Sequence, residues 1–483
     1  MSQKASFNSK ILGGMLWSTL EKFSVQGVSF VIGIILARLL TPKEYGTVGL
    51  LLVFISFSQV FIDSGFGAAL IQKQDRTEND INTVFTFNFL VAIFCFVIIW
   101  LFAPFISEYY EIEELTKFVR ILSITLFFQA IGLIPQTLLT IEMNFKSLAK
   151  INIIATVLSG IIAIYLAYND YGEMAIIWQT ILKTFFIAII IWSFVKWRPN
   201  FKFVKDSFNS LFSFGSKLLI SSLLNNIVNN ITSLFIGKYL SVKSLGYYTR
   251  GSQFSDMIFG SIYSIYNSVL LPSLSSIQNN KELLVSQTRN IIKVSSVLIF
   301  PFFIFLAVNS KPIIILLLTD KWIEAAPIMG IICIARAITI ISGVNINLLY
   351  AIGRSDLVLK QQYFKLLIRI VFLLISLKFG IVWIAIAELL ATIVHFFINT
   401  YYPGKIMEYG AFKQINDSKV PILISAFLAI ISLILFSIMD NNILKILSST
   451  ILFTIIYYTI SKLFGNNEID RLSKKVKQAI WKK

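Results

Sequence analysis

Charged and amide side chains recur at helical spacing inside the apolar runs of this chain, and they define what it can bind. Ser18, Lys22, Gln26 and Ser29 follow one another in steps of three or four, as do Ser56, Gln59, Asp63 and Gly67. A third stripe joins Ser222, Asn226, Asn229 and Ser233, with Asn225 and Asn230 beside it; a fourth joins Gln253, Asp256, Gly260, Ser264 and Asn267. Polar groups in hydrocarbon are costly, so each stripe must face a partner helix or water. Hydroxyls, amides and glycines also bring membrane helices together, and for single Ser and Gly positions that packing role is the simpler account.

The isolated charges open sharper chemistry. Arg336 falls near the middle of an apolar run, where a guanidinium can hold a pair of phosphate oxygens. Lys183 falls at similar depth in another run. Lys22 and Asp63 match in depth and form either a cytoplasmic gate or a static ion pair. Glu388, Thr392, His395 and Asn399 make a further stripe; its histidine, the chain's only one, is either a satisfied packing residue or part of a proton-coupled site. Asp63, Asp256, Glu388 and His395 are thus the candidates for ion coupling. There is no phosphate-binding glycine loop with lysine and no histidine cluster, and the external links hold no carboxylate pair on a large loop, so covalent catalysis, a bound metal and a cofactor are not expected. Cys95 and Cys333 lie far apart within apolar runs and read as small fillers.

Membrane helices must position these residues. The 483-residue chain is 56% hydrophobic and 14% charged, with mean hydropathy +0.78. Soluble domains carry about 25% charge, so the composition describes an all-α polytopic membrane protein. At about 20 apolar residues per span, about fourteen transmembrane helices fit between Gly14 and Leu463. The first stretch, Gly14 to Leu39, is too long for a signal-peptide core and has no small-residue cleavage site, so it is expected to stay as a helix.

A duplication organises the spans. Arg38-Leu39-Leu40-Thr41-Pro42-Lys43-Glu44-Tyr45-Gly46 recurs 200 residues later as Lys238-Tyr239-Leu240-Ser241-Val242-Lys243-Ser244-Leu245-Gly246. Base, leucine, hydroxyl, lysine and glycine return in register, and each copy links two long apolar segments. Internal repeats of this kind mark transporter folds. The expected division is an N-terminal lobe at 1–205 (helices 1–6), a C-terminal lobe at 206–419 (helices 7–12), a final helix pair at 420–463 and a basic amphipathic tail at 464–483. The four polar stripes then fall on the first two helices of each lobe. Pseudo-symmetric six-helix lobes with polar faces there suit a hydrated central cavity and alternating access by rocking.

A formal charge of +17 does not point to nucleic acid, because the bases are scattered between spans and in the tail. With the N-terminus inside, most bases fall in inward links, including Arg354, Lys360, Lys365 and Arg369, which is the positive-inside pattern and puts both termini in the cytoplasm. The outward links are short. The tail, with Leu472, Val476, Ala479 and Ile480 among lysines, suits the anionic inner leaflet, so membrane lipids are expected partners.

The run Asp63-Ser64-Gly65-Phe66-Gly67-Ala68-Ala69-Leu70-Ile71-Gln72-Lys73-Gln74-Asp75, followed by Asn82-Thr83-Val84-Phe85, resembles the second-helix signature of Wzx-type polysaccharide exporters of the MOP superfamily. Leu36-Ala37-Arg38-Leu39-Leu40-Thr41-Pro42, Gly246-Tyr247-Tyr248-Thr249-Arg250 and Leu271-Pro272-Ser273-Leu274-Ser275-Ser276-Ile277-Gln278 agree with it. The resemblance implies a flippase for lipid-linked oligosaccharides in the bacterial cytoplasmic membrane. A monomer is expected because two lobes already enclose a pathway within one chain, and polysaccharide assembly proteins are further expected contacts. Its lobes would enclose a cationic cavity, whereas the charges read above are mixed. On this reading Lys22, Lys217 and Arg336 are phosphate partners, Asn226, Asn229, Asn230 and Asn267 sugar contacts, and Gln26, Gln59, Asp63 and Asp256 further cavity residues. A polyprenyl pyrophosphate carrying an oligosaccharide is the expected cargo. The alternatives are a cation-coupled multidrug antiporter of the same superfamily and a membrane polysaccharide polymerase or glycosyltransferase; the short outer links disfavour the enzyme.

Overall fold

The computed structural model describes residues 23–463. Lys22, the start of the first polar stripe and the basic tail at 464–483 lie outside the described residues. Among the described residues every regular element is helical, and twelve helical stretches are long and apolar enough to cross a membrane. The chain is therefore a multi-pass membrane protein. Two further helices, α1 (Phe23–Leu39) and α14 (Ser355–Ser376), are not among those twelve. The second is 22 residues long but carries Asp356, Lys360, Lys365 and Arg369.

The chain packs as two compact units, residues 1–246 and 247–483. The first holds α1, α2 (Pro42–Asp63), α3 (Phe66–Gln72), α4 (Glu78–Tyr110), α5 (Leu115–Leu122), α6 (Thr125–Ile141), α7 (Phe145–Tyr168), α8 (Glu173–Ile191), α9 (Lys205–Tyr239) and the opening turn of α10 (Val242–Ser275). Thr41 starts α2 with a capping box: its hydroxyl accepts from Glu44 N–H while the Glu44 carboxylate returns to Thr41 N, and Pro42 takes the first-turn position whose N–H has no helical partner. Thr77 and Asp80 repeat the device at α4, where Lys73 also pairs with Asp80 at 2.8 Å.

The second span is broken. Ser64 and Gly65 adopt left-handed backbone (φ 48° and 71°), ending α2 and letting α3 begin at Phe66. Only a residue without Cβ fits at the second of these positions, because a Cβ there would sit 2.6 Å from the Gly215 carbonyl oxygen. Below the break, Phe66 and Leu70 pack with Val84, Phe85, Ile134 and Leu211 in a buried apolar cluster that fixes α3 against α4, α6 and α9. The duplicated segments also meet. An added Cβ on Gly46 would collide with the Val242 carbonyl, and one on Gly246 with the Pro42 carbonyl, so the equivalent glycines of the two copies allow a close backbone crossing.

The second unit holds the rest of α10 with α11 (Lys281–Val308), α12 (Ser310–Leu318), α13 (Ala325–Ala351), α14, α15 (Ile381–Met407), α16 (Ala411–Ile438), α17 (Asn442–Ile451) and α18 (Tyr457–Leu463). Its most buried helix is α13, rich in Ala and Gly. The last helices pack on α11: Val297 meets Ile424, Leu428, Leu452 and Phe453, and the Tyr457 hydroxyl donates to the Val297 carbonyl at 3.0 Å. At the start of α11, Arg289 makes two bonds of 2.7 and 2.8 Å to Asp417 of α16, joined by Lys293 and the Tyr409 hydroxyl. Phe94, Leu101, Phe102 and Phe105 of α4 and Leu423, Ile430 and Leu433 of α16 stay exposed on the protein surface, as lipid-facing positions should.

Candidate functional site

The first unit contains a cavity of about 390 Å3 beside the break in its second span. Its polar lining comes from Ser56, Gln59 and Asp63 of α2, Gln129 and Gln136 of α6, Thr184 of α8, and Ser222 and Asn226 of α9; Phe128, Leu133 and Ile187 supply apolar wall. The broken helix is what aims Asp63 here: the residue closes α2, and its carboxylate accepts the Gly67 N–H across the break. Two asparagines set α9 against α2. Asn226 pairs with Ser56 through both amide atoms, at 3.2 Å to the hydroxyl and 3.3 Å to the carbonyl, while Asn230 donates to Asn226 Oδ1 at 3.0 Å and to Ser56 Oγ at 3.4 Å. The cavity is thus rich in groups that both donate and accept, with one carboxylate and no basic side chain in its lining.

In the second unit the charges are concentrated. Arg336 of α13 donates to Asp256 of α10 at 2.6 Å, stands 3.5 Å from Glu388 of α15, and lies over the Phe259 ring at 5.3 Å. Arg369 of α14 approaches the other Glu388 oxygen at 3.3 Å, an ion pair without hydrogen-bond alignment. Two guanidiniums and two carboxylates therefore balance within one cluster. Burial divides them: the side chain of Glu388 is 12% exposed and that of Asp256 44%, so Glu388 is the held anchor and Asp256 the replaceable partner. Below the cluster, Lys365 donates to Asn399 Oδ1, Asn399 donates to Ser342, and His395 Nε2 lies 3.0 Å from the Lys365 carbonyl oxygen.

The residues singled out from the sequence fall into three groups. Gln59, Asp63 and Asn226 share the first cavity, with Asn230 supporting Asn226. Asp256, Arg336 and Glu388 share the charged cluster; Asn267 lies eleven residues, about 16 Å, further along α10, accepting from Asn347 at 2.8 Å. Gln26 is half-buried on α1, and Asn229 and Lys217 are exposed on α9 outside the cavity lining. Cys95 and Cys333 are buried free thiols, the latter 3.1 Å from the Ser255 hydroxyl. No group of three metal-ligating side chains occurs among the described residues. Sequence reasoning sorted Arg369 and Lys365 into an inward link; both lie inside α14. Their spacing with Gln361, two steps of four, is the stripe that identifies the buried face.

Comparisons with known proteins agree with the fold and the resemblance. The chain is 28% identical to the teichuronic acid biosynthesis protein TuaB of Bacillus subtilis (strain 168), over 88% of this chain and 89% of the relative. It is 21% identical to the lipopolysaccharide biosynthesis protein WzxC of Escherichia coli (strain K12), over 85% and 84% respectively. Its fold is similar to that of the lipid II flippase MurJ in an inward closed conformation, with TM-score 0.74 and 17% identity, covering 94% of this chain and all of that one. The exporter resemblance read from Asp63 to Asp75 is thereby borne out. Residues 35–327, more than half of the sequence, match the family described as Polysaccharide biosynthesis protein, and the chain belongs to that family.

Proposed function

We propose that the protein flips polyprenyl-pyrophosphate-linked oligosaccharide units across the cytoplasmic membrane by alternating access, for assembly of a cell-surface polysaccharide. The observation that carries this reading is the cavity beside the broken second span, lined by amides and hydroxyls at the depth of a membrane helix. Sugar hydroxyls demand partners that donate and accept, and an oligosaccharide head cannot cross hydrocarbon without them. The charged cluster supplies the complementary chemistry. A pyrophosphate oxygen pair can replace Asp256 on Arg336 while Glu388 and Arg369 keep the guanidinium in place. The polyprenyl tail stays in lipid throughout.

On this reading the twelve evident spans, α1 and α14 make fourteen helices with both termini cytoplasmic. The duplicated halves are 1–205 and 206–419, followed by the pair at 420–463; packing divides the chain later, at Gly246, because α9 docks on α2 through Asn226 and Asn230. The protein works as a monomer and is a carrier rather than an enzyme, with the polysaccharide assembly proteins as neighbours in the membrane. A second reading, a cation-coupled drug antiporter, rests on Asp63 as the one carboxylate in the cavity lining.

Vesicles containing the purified protein decide between them. Protein-dependent transbilayer movement of a fluorescent polyprenyl-pyrophosphate oligosaccharide is expected. Efflux of drug cations, with no movement of any of several glycans, would replace the flippase by the antiporter.

A further inference from the structure

Lys365 is the buried titratable group that the mechanism above leaves unused. It lies ten residues beyond Ser355, the first residue of α14, or about 15 Å along the helix at 1.5 Å per residue. It is 8% exposed. Its Nζ carries three hydrogens when charged, and the hydrogen bond seen there is to an amide, Asn399 Oδ1 at 3.1 Å; among the described residues no carboxylate lies within 4.0 Å. The adjoining polar groups are committed elsewhere. His395 is bonded to the Lys365 backbone carbonyl, Asn399 to Ser342, and the Gln361 amide nitrogen to the Ile398 carbonyl; the Gln361 side-chain oxygen, one turn from Lys365, is buried without a hydrogen-bond partner and is an uncharged acceptor only.

The charged and titratable groups on the packed elements are few. From α15 come Glu388, His395 and, toward its far end, Tyr401, Tyr402 and Lys405; from α13 come Cys333, Arg336 and, at its end, Tyr350; the turn Leu377–Phe379 brings Lys378; α14 itself adds Asp356, Lys360, Tyr363 and Arg369. Glu388 is the nearest anion along this stripe, and two arginines already hold it. Asp356 is held by Arg354 at the end of the helix. A charged Lys365 therefore has no countercharge in this conformation, whereas a neutral amine is well satisfied by one amide acceptor.

We propose that Lys365, with His395 beside it, is the binding site of a coupling proton, loaded when substrate occupies the charged cluster. The inference rests on the flippase reading. A pyrophosphate that takes Arg336 from Asp256 adds negative charge to the Arg336–Glu388–Arg369 system, and a proton taken from water onto the Lys365 amine restores the balance. When the cluster re-forms with Asp256 on Arg336, the ammonium again lacks a countercharge and returns the proton to water on the side then open. Each cycle moves one proton with one substrate and changes no covalent bond other than N–H.

The test is the vesicle assay run with a pH difference of about one unit imposed in either direction, on the wild type, Lys365→Met, Lys365→Gln and, as a control on the exposed end of the helix, Lys360→Gln. The wild type and Lys360→Gln should change flipping rate severalfold when the gradient is reversed. Both Lys365 variants should still move substrate, at one rate for either direction. A gradient response retained in Lys365→Met or Lys365→Gln overturns the proposal, as does a wild type that flips substrate but responds only to sodium. A wild type that moves no glycan at all removes the flippase reading and this inference with it, and that outcome is distinct from either of the others.

Discussion

The second helix of each duplicated half carries the same glycine as its fifth residue, yet the two have diverged in shape and in charge. Ten residues after Gly46 stands Ser56, and ten after Gly246 stands Asp256. Ser56 is bound by Asn226 and Asn230, whereas Asp256 is bound by Arg336. Seven residues further on, α2 ends at Asp63 and the backbone turns left-handed, whereas α10 runs without a break to Ser275. One copy is broken and lines an amide-rich cavity with a single carboxylate; the other runs unbroken and carries an ion cluster. Duplication supplied two equivalent scaffolds, and the cargo proposed here, sugar plus pyrophosphate, needs two unlike sites.

The largest expected effect is at the charged site. Arg336→Ala should reduce export by about 100-fold or more, since it removes the one group that can take a phosphate oxygen pair beside a replaceable carboxylate. Breaking a buried pair by removing one partner costs about 3–5 kcal/mol, so membrane protein level must be measured alongside export. Arg336→Lys keeps the charge and loses the fork, and should recover protein level without recovering export. Full export by Arg336→Ala at normal level would show that the cluster is only structural.

Next comes the bend. Gly65→Ala forces a left-handed alanine, worth about 1–2 kcal/mol, and drives its Cβ to 2.6 Å from Gly215 O; Gly260→Ala on the straight helix meets nothing within 4 Å. The first should lower the protein level in membranes severalfold and the second should leave it unchanged, as read by quantitative immunodetection. Equal levels would mean that the break is not fixed by Gly65.

How much of this was legible in the sequence follows from what each signal depends on. Spans, duplication and the second-helix run were readable because apolar length, repeat register and a local motif survive without tertiary context. The polar stripes grouped Gln59, Asp63, Asn226 and Asp256 by helix face, and Arg336 stood out as an isolated charge in an apolar run. Their partners were not readable: the Arg336–Asp256 contact joins residues 80 apart, and a stripe gives a face but not the neighbour it meets. Arg369 and Lys365 were missed for a different reason. Four charges in α14 lowered its apolar signal until its bases looked like a link, although Gln361, Lys365 and Arg369 already lay on one helical face. The bend at Ser64 and Gly65 lay inside the recognised motif, but a motif does not announce which of its residues has positive φ.

Within the amide-lined cavity the two α9–α2 contacts should separate by size. Asn226→Leu leaves the Ser56 carbonyl without its amide partner and the Ser56 hydroxyl with Asn230 alone, and places an apolar side chain in the lining, so it should slow flipping about tenfold while costing about 1–3 kcal/mol of stability. Ser56→Ala is the smallest change that still probes the contact. It removes one hydroxyl, leaves its backbone carbonyl to accept Asn226 Nδ2, and leaves Asn226 and Asn230 bonded to each other. One neutral hydrogen bond is worth about 0.5–1.5 kcal/mol, so flipping in the vesicle assay should fall no more than about threefold. Asp256→Ala at the equivalent position of the other copy leaves Arg336 with Glu388 alone and should cost far more. If Ser56→Ala were instead as damaging as Asp256→Ala, the two copies would be doing the same chemistry, and the division of labour between a sugar-binding bend and a phosphate-binding straight helix would be wrong.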